Sequence, residues 1–338
     1  MLIIFLFLLT ACMNSAEELP EAENNAFLMD TLVQMRAQGE NAEITVEESM
    51  EKIKEIENLM SKTIESSDIY KLNNNPGQKI EINNGTMTVL KRAKEYAEIT
   101  NGDFEPAIGA LVDLWGIGTE DAGVPSESKI EAALANTGYE HLKLRDNSAE
   151  ITKAGVKLDL GAIVKGYAAS EVKKIVEKYG VEHAFVNLGG NVLVIGNKAD
   201  GSPWRIGIQD PRAGQGTVMA VIDSVDMTIV TSGNYERYFE ENGKIYHHIL
   251  DPATGYPAEN NLLSVSIISE NSFDADALST AVYIMGLEKG MDFIENMEDV
   301  EVMFITEELD VYLSSGLDEI VEIKNSDFEL IENNNFAD

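Results

Sequence analysis

The chain has one cysteine in 338 residues. A lone thiol cannot form an internal disulfide, and zinc sites built on four cysteines, or on two cysteines and two histidines, are excluded. Basic residues are scarce. Lys plus Arg number 25 against 59 for Asp plus Glu, a formal net charge of −34. A field of that sign repels nucleic-acid backbones and anionic headgroups, so nucleic-acid binding is excluded. A phosphorylated small molecule would need a metal ion or a local array of backbone N–H groups. No G-x-S-x-G elbow, no H-E-x-x-H and no P-loop occurs. There is no internal repeat and no Pro/Gly-rich linker. Past residue 11 no apolar run approaches the ~20 residues of a membrane-spanning helix.

What is present begins at the N-terminus. Residues 1–11 are uncharged and almost all apolar. They are too short to span a bilayer and the right length for the core of a signal peptide. No Lys or Arg precedes this run. It ends in Leu9-Thr10-Ala11-Cys12, which resembles a bacterial lipobox. The expectation is cleavage before Cys12 and lipidation of its sulfur. That would anchor the protein at the extracytoplasmic face of a bacterial cell membrane. Residues 12–25 read as the lipidated cysteine and a flexible acidic tether carrying Glu17, Glu18, Glu21 and Glu23. Residues 326–338 read as a polar tail.

Between them, residues 26–325 read as one large α+β domain of mostly antiparallel sheet with packed helices. Residues 27–33 suggest a first strand. Thr45-Val46-Glu47-Glu48 has the form of a capping box, followed by Ile53, Ile56, Met60 and Ile64 at helical spacing. Further helices are expected over 88–99, 162–179 and 275–285. Strands are expected over 184–187, 192–195, 204–208, 218–222, 228–231, 264–268, 302–305 and 311–313. The order is not a regular βαβ alternation, so a doubly wound sheet is not expected.

Five segments combine small, acidic and basic residues in ways that suit chemistry. In residues 100–118, Asp103 and Glu105 flank Phe104, and Phe104 and Trp115 offer flat surfaces; a structural turn with core aromatics is the alternative reading. Residues 157–167 join a strand to a helix through Gly161, leaving free N–H groups for an anion. Lys165 then sits in the first helical turn, where a cation opposes the helix dipole. A phosphate partner would explain it, and a solvated lysine is the alternative. Thr231-Ser232-Gly233 suits a nest of N–H groups for phosphate oxygens. His247 and His248 precede the Asp251-Pro252 turn, and in an extended strand only one of the two can face a pocket. Asp276 and Thr280, four apart on a helix, share a face suited to a hard cation such as Mg²⁺, with Mn²⁺ as the alternative.

In this order, over about residues 27–316, these segments resemble the ApbE family, the FAD:protein FMN transferases. The resemblance rests on residues 29–31, 102–106, 114–118, 158–166, 187–190, 203–211, 231–235, 247–257 and 275–286. It implies an enzyme that cleaves FAD between its phosphates and attaches FMN through a phosphoester to a threonine of an exported or membrane-bound acceptor protein, releasing AMP. It implies flavin contacts at Met29, Asp103, Phe104, Glu105, Asp159, Lys165 and Leu250. It implies Mg²⁺ held by the backbone oxygen of Ala162 and by Asp276, Ser279 and Thr280. His248 takes the position of the catalytic base, with Asp251 to orient it, while Lys165 and the amides of Thr231, Ser232 and Gly233 would stabilise phosphoryl charge. The chain departs from the family pattern at Thr63, Glu105, Ala107 and Asn191. The alternatives are an FAD pyrophosphatase yielding FMN and AMP, and a non-catalytic flavin-binding lipoprotein.

Overall fold

The computed structural model describes residues 19–214 and 216–331. Chain order is β1 (Glu21–Leu28), β2 (Thr31–Gln38), α1 (Ala42–Met60), α2 (Asp68–Asn74), β3 (Ile80–Glu81), α3 (Asn84–Ile99), α4 (Gly109–Trp115) and α5 (Glu127–Leu134). Next come β4 (Leu142–Arg145), β5 (Ser148–Ile151), α6 (Val164–Tyr179), β6 (His183–Leu188), β7 (Asn191–Ile195), β8 (Trp204–Gln209), β9 (Val218–Ser224) and β10 (Thr228–Gly233). The chain continues through β11 (Tyr238–Glu241), β12 (Lys244–His247), β13 (Leu262–Ser269), α7 (Ser272–Met285), α8 (Leu287–Glu295), β14 (Val300–Thr306), β15 (Asp310–Leu313), β16 (Val321–Ile323) and β17 (Glu329–Leu330).

A nine-stranded sheet in the order β1-β2-β6-β7-β10-β13-β14-β15-β17 organises the molecule. Its neighbours pair antiparallel except β15 with β17. The fold is α+β, as the irregular element order predicts. The central strands are buried on both faces. Val265 and Ile267 of β13, with Val302 and Phe304 of β14, turn to a core shared with α1, α6 and α7. Their neighbours Ile268, Met303 and Ile305 turn to a second core. That second face is covered by the small sheet β16-β9-β8. Alternation at period two therefore sends adjacent residues of one apolar run into two cores. Burying each such side chain stabilises the fold by roughly 1.5–3 kcal/mol.

Several sequence expectations need correction. Residues 27–33 form the tip of a hairpin, because Met29 and Asp30 both adopt left-handed backbone conformations, φ 54° and 57°. Two such residues make the two-residue turn that matches strand twist. Strand β1 already starts at Glu21, so the tether reading fails over 21–25, which pair with 34–38 of β2. The capping-box reading also fails. Helix α1 begins at Ala42, and Thr45 lies inside it with Oγ1 donating to Asn41 O at 2.8 Å. The polar tail reading fails over 326–331. Phe328 is buried in the second core, and β17 pairs with β15. The proposed signal peptide, Cys12 and residues 332–338 lie outside the described residues. Among the described residues no helix is long and apolar enough to cross a membrane.

Candidate functional site

A cavity of about 610 Å³ opens on the helical side of the main sheet, a volume suited to a cofactor-sized ligand. The end of β10, the start of α6 and the inner face of α7 form one wall. The β1–β2 turn, the residues after α1, and the loops around 103–108 and 248–252 form the rest. The cavity brings together Met29, Asp103, Phe104, Glu105, Asp159, Ala162, Lys165, Thr231, Ser232, Gly233, His248, Leu250, Asp276 and Thr280. Of the residues expected at a site, Ser279 and Asp251 do not line it.

Asp276 sits within α7 and is almost fully buried. Its Oδ2 accepts the Gly166 N–H at 2.8 Å, and its Oδ1 lies 3.5 Å from Lys165 Nζ. Gly166 permits this contact. A Cβ there would meet Ser272 O at 2.2 Å, so only glycine lets α6 start against α7. Lys165 occupies the first turn of α6 and also donates to Gly161 O at 3.2 Å. Ser232 Oγ lies 2.9 Å from Ser279 Oγ and 3.5 Å from Thr280 Oγ1. Ser279 Oγ donates to Asp276 O at 2.9 Å, so Ser279 braces this corner from behind. The donor set is one carboxylate, hydroxyls and backbone oxygen, which fits a hard cation that keeps several waters. Among the described residues no cluster of three or more His, Cys, Asp or Glu is arranged for a metal. A cation here would therefore draw ligands from its substrate as well.

The two histidines part company as strand geometry requires. His247 ends β12 and turns into the core, where its Nε2 lies 3.0 Å from Ala258 O and its ring meets Tyr283 edge-on. His248 faces the cavity. Its side chain is solvent-exposed within the cavity, with protein around its other sides. Burial, then the charges of Arg237 and His247, push its pKa down to about 4. At neutral pH the imidazole is uncharged and able to accept a proton.

Asp251 does not orient it. Its carboxylate accepts from Ala253 N at 2.8 Å and Thr254 Oγ1 at 3.0 Å, capping its own turn. Thr231, Ser232 and Gly233 do not form a nest. They lie in β10, paired with 264–266 of β13, and Thr231 N donates to Gly190 O. They contribute hydroxyls instead. Trp115 offers no ligand surface: it is fully buried, and its Nε1 donates to Gly255 O at 2.8 Å. Phe104 lies at the cavity wall, edge-on to Tyr96.

At the other side, Asp159 Oδ1 accepts Gly161 N at 2.9 Å, and its Oδ2 pairs with Lys62 at 2.9 Å. Lys62 also reaches Asp113 at 3.0 Å. Burial disfavours the Lys62 charge, but the two carboxylates more than offset this and raise its pKa. Glu105 accepts from Ala107 N at 2.7 Å and Tyr139 N at 3.0 Å. Burial nevertheless pushes its pKa up to about 7.

Sequence reasoning missed Glu57, Lys62, Glu236 and Arg237 as lining residues. Glu57 accepts the N–H of Met29 at 2.7 Å, and Arg237 donates to Asp30 O at 2.9 Å. Both therefore hold the left-handed turn. No local pattern marks Glu57, Lys62 or Arg237, because each acts through a partner far away in sequence. The lining carries seven Asp or Glu residues against Lys62, Lys165 and Arg237. A diphosphate entering this field needs additional positive charge.

A model of the ApbE family matches residues 29–304. The FAD:protein FMN transferase of Treponema pallidum (strain Nichols) is 34% identical over 324 residues, covering 90% of this chain and 89% of that protein. That of Klebsiella pneumoniae (strain 342) is 36% identical over 266 residues, covering 78% of this chain and 82% of that protein. Among solved structures, the ApbE protein of Thermotoga maritima superposes with a TM-score of 0.83 at 35% identity, covering 89% of this chain and 99% of that one. The flavin transferase ApbE of Vibrio cholerae gives a TM-score of 0.80 at 28% identity, with the same coverages of 89% and 99%.

Proposed function

The chain belongs to the ApbE family and transfers FMN from FAD to an acceptor protein; we propose that it does so with Mg²⁺, onto a threonine hydroxyl, releasing AMP. The observation that carries this reading is the single cavity that His248, Lys165, Asp276 and Thr280 all line. Asp276 and Thr280, with the Ala162 carbonyl, would hold Mg²⁺ while Ser279 braces them from behind; the ion would supply charge neutralisation of the diphosphate and polarise its phosphoryl oxygens. Lys165 adds a fixed positive charge at the same corner. His248, neutral at pH 7, takes the proton from the threonine hydroxyl. The hydroxyl oxygen forms a bond to the phosphorus of the FMN half, and the bond from that phosphorus to the bridging oxygen breaks. AMP leaves with the bridging oxygen. Met29, Asp103, Phe104, Glu105, Asp159 and Leu250 bind the flavin nucleotide.

Incubation with FAD, Mg²⁺ and an acceptor protein bearing an exposed threonine segment tests the reading. After denaturing electrophoresis, the acceptor band should fluoresce, with one AMP released per flavin attached. AMP without a fluorescent band would instead mean that water takes FMN. No AMP with FAD still bound would mean a flavin-binding protein without turnover. We also propose that Cys12 carries a lipid that anchors the chain outside the cytoplasmic membrane. Cys12→Ala should move the protein from the membrane fraction to the soluble fraction, and unchanged fractionation would sink the anchor.

A further inference from the structure

Glu57 is an unexpected residue for this cavity. It lies in the last turn of α1 and lines the wall. Its negative charge opposes a diphosphate. Its side chain is nevertheless committed, because Oε1 accepts the Met29 N–H at 2.7 Å across 28 residues of sequence. The hairpin explains the commitment. Leu28 pairs with Thr31, so Met29 and Asp30 are the two central residues of the β1–β2 turn. Both have left-handed backbone, φ 54° and 57°, and neither is glycine. L side chains disfavour that region, and two-residue turns of this kind prefer glycine at the second position. Such a turn persists only where its surroundings over-determine it. Three neighbours do so here. Glu57 holds the Met29 N–H, Arg237 holds the Asp30 carbonyl at 2.9 Å, and Thr31 packs on Gly189, where a Cβ would come within 1.9 Å of Thr31 Oγ1. Glu57, Arg237 and Gly189 all line the cavity, as does Met29 itself. The conformation that places Met29 at the cavity is therefore set by cavity residues and not by the turn's own sequence.

We propose that Glu57 is a positioning residue for FAD: by holding the Met29 N–H it keeps the turn left-handed and Met29 against the flavin nucleotide. This rests on the flavin reading above, in which Met29 binds that nucleotide. The test is flavin-fluorescence titration of the full chain with FAD, without metal. Glu57→Ala removes a negative charge, and charge alone would then tighten FAD binding. Loss of the turn should instead weaken it about tenfold, the effect of one hydrogen bond to a charged group. Alanine suits a helix interior, so α1 itself is not disturbed. Glu57→Gln removes the same charge but keeps an acceptor for Met29, and should bind FAD within about threefold of the wild type. Asp30→Gly lowers the cost of the left-handed turn, so adding it to Glu57→Ala should restore most of the lost affinity. If Glu57→Ala alone is too unstable to titrate, the double variant is compared with Asp30→Gly alone, and the two should agree within about threefold. FAD binding unchanged or tighter in Glu57→Ala would overturn the inference. An equal loss in Glu57→Gln, or a loss that Asp30→Gly does not restore, would mean that Glu57 acts other than through the turn, and would overturn it as well. A wild-type chain that binds no flavin at all would bring down the flavin reading, and this role of Glu57 with it.

Discussion

His248 and Asp276 face opposite demands in one cavity. A base must be uncharged and exposed to its proton donor, whereas a cation ligand must stay ionised while buried. His248 meets the first because burial, Arg237 and His247 all disfavour its charged form. Its pKa of about 4 lies below the usual value for histidine, so the fraction of competent base is already full at pH 6. In a Glu105→Gln variant, which removes the cavity carboxyl that titrates at about 7, transfer measured as kcat/KM should therefore stay level from neutral pH down to about 5 and fall only as pH drops through 4. A fall centred near 6.5 would mean that burial does not control this ring. Asp276 has the Gly166 N–H on one oxygen and Lys165 beside the other, which holds the carboxylate in place at this corner. Asp276→Asn keeps an acceptor for Gly166 while removing the negative charge. The variant should melt near the wild type yet lose Mg²⁺-dependent AMP release by about 10²-fold or more. Full activity with Mg²⁺ would take the metal away from α7.

The site depends on how elements meet. Helix α6 begins so close to α7 that Gly166 has no room for a side chain. Gly166→Ala must push backbone against backbone, at a cost of about 1–3 kcal/mol. The melting temperature should fall by about 1.5–4 °C for a chain of this size. A variant as stable as the wild type would show that the α6–α7 approach is soft. This contact also marks the limit of what sequence patterns tell. The helix start near Lys165, the split roles of His247 and His248, and the Asp276–Thr280 pair were legible, because each follows from a period of 3.6 or 2.0. The buried strands were legible as apolar runs. The β1–β2 turn was not, since Met29-Asp30 carries no glycine or asparagine and is held by Glu57 and Arg237. Short elements such as α2, α4 and β11–β12 also escaped, being stabilised by what they pack against more than by their own pattern. Trp115 was open to two readings, a flat ligand surface or a core aromatic beside a structural turn, and the second holds: the residue anchors the turn that Asp251 caps.

The whole molecule carries a formal charge of −34, and the cavity lining is acidic in the same sense. FAD brings two further negative charges on its diphosphate. Long-range forces therefore oppose the encounter, even though Lys165, the Gly166 corner and a bound cation favour the complex once formed. The two contributions differ in their response to salt. Repulsion between separated charges is screened over about 8–10 Å at physiological ionic strength, while contacts inside the cavity are screened much less. Raising the salt concentration from about 0.02 M to 0.2 M should then speed FAD association several-fold, the opposite of electrostatically steered enzymes. The dissociation rate should change little. Stopped-flow quenching of flavin fluorescence separates the two rates. An association rate that falls with salt would mean that the few basic residues at the cavity govern the approach, and that the acidic surface lies too far from the mouth to matter.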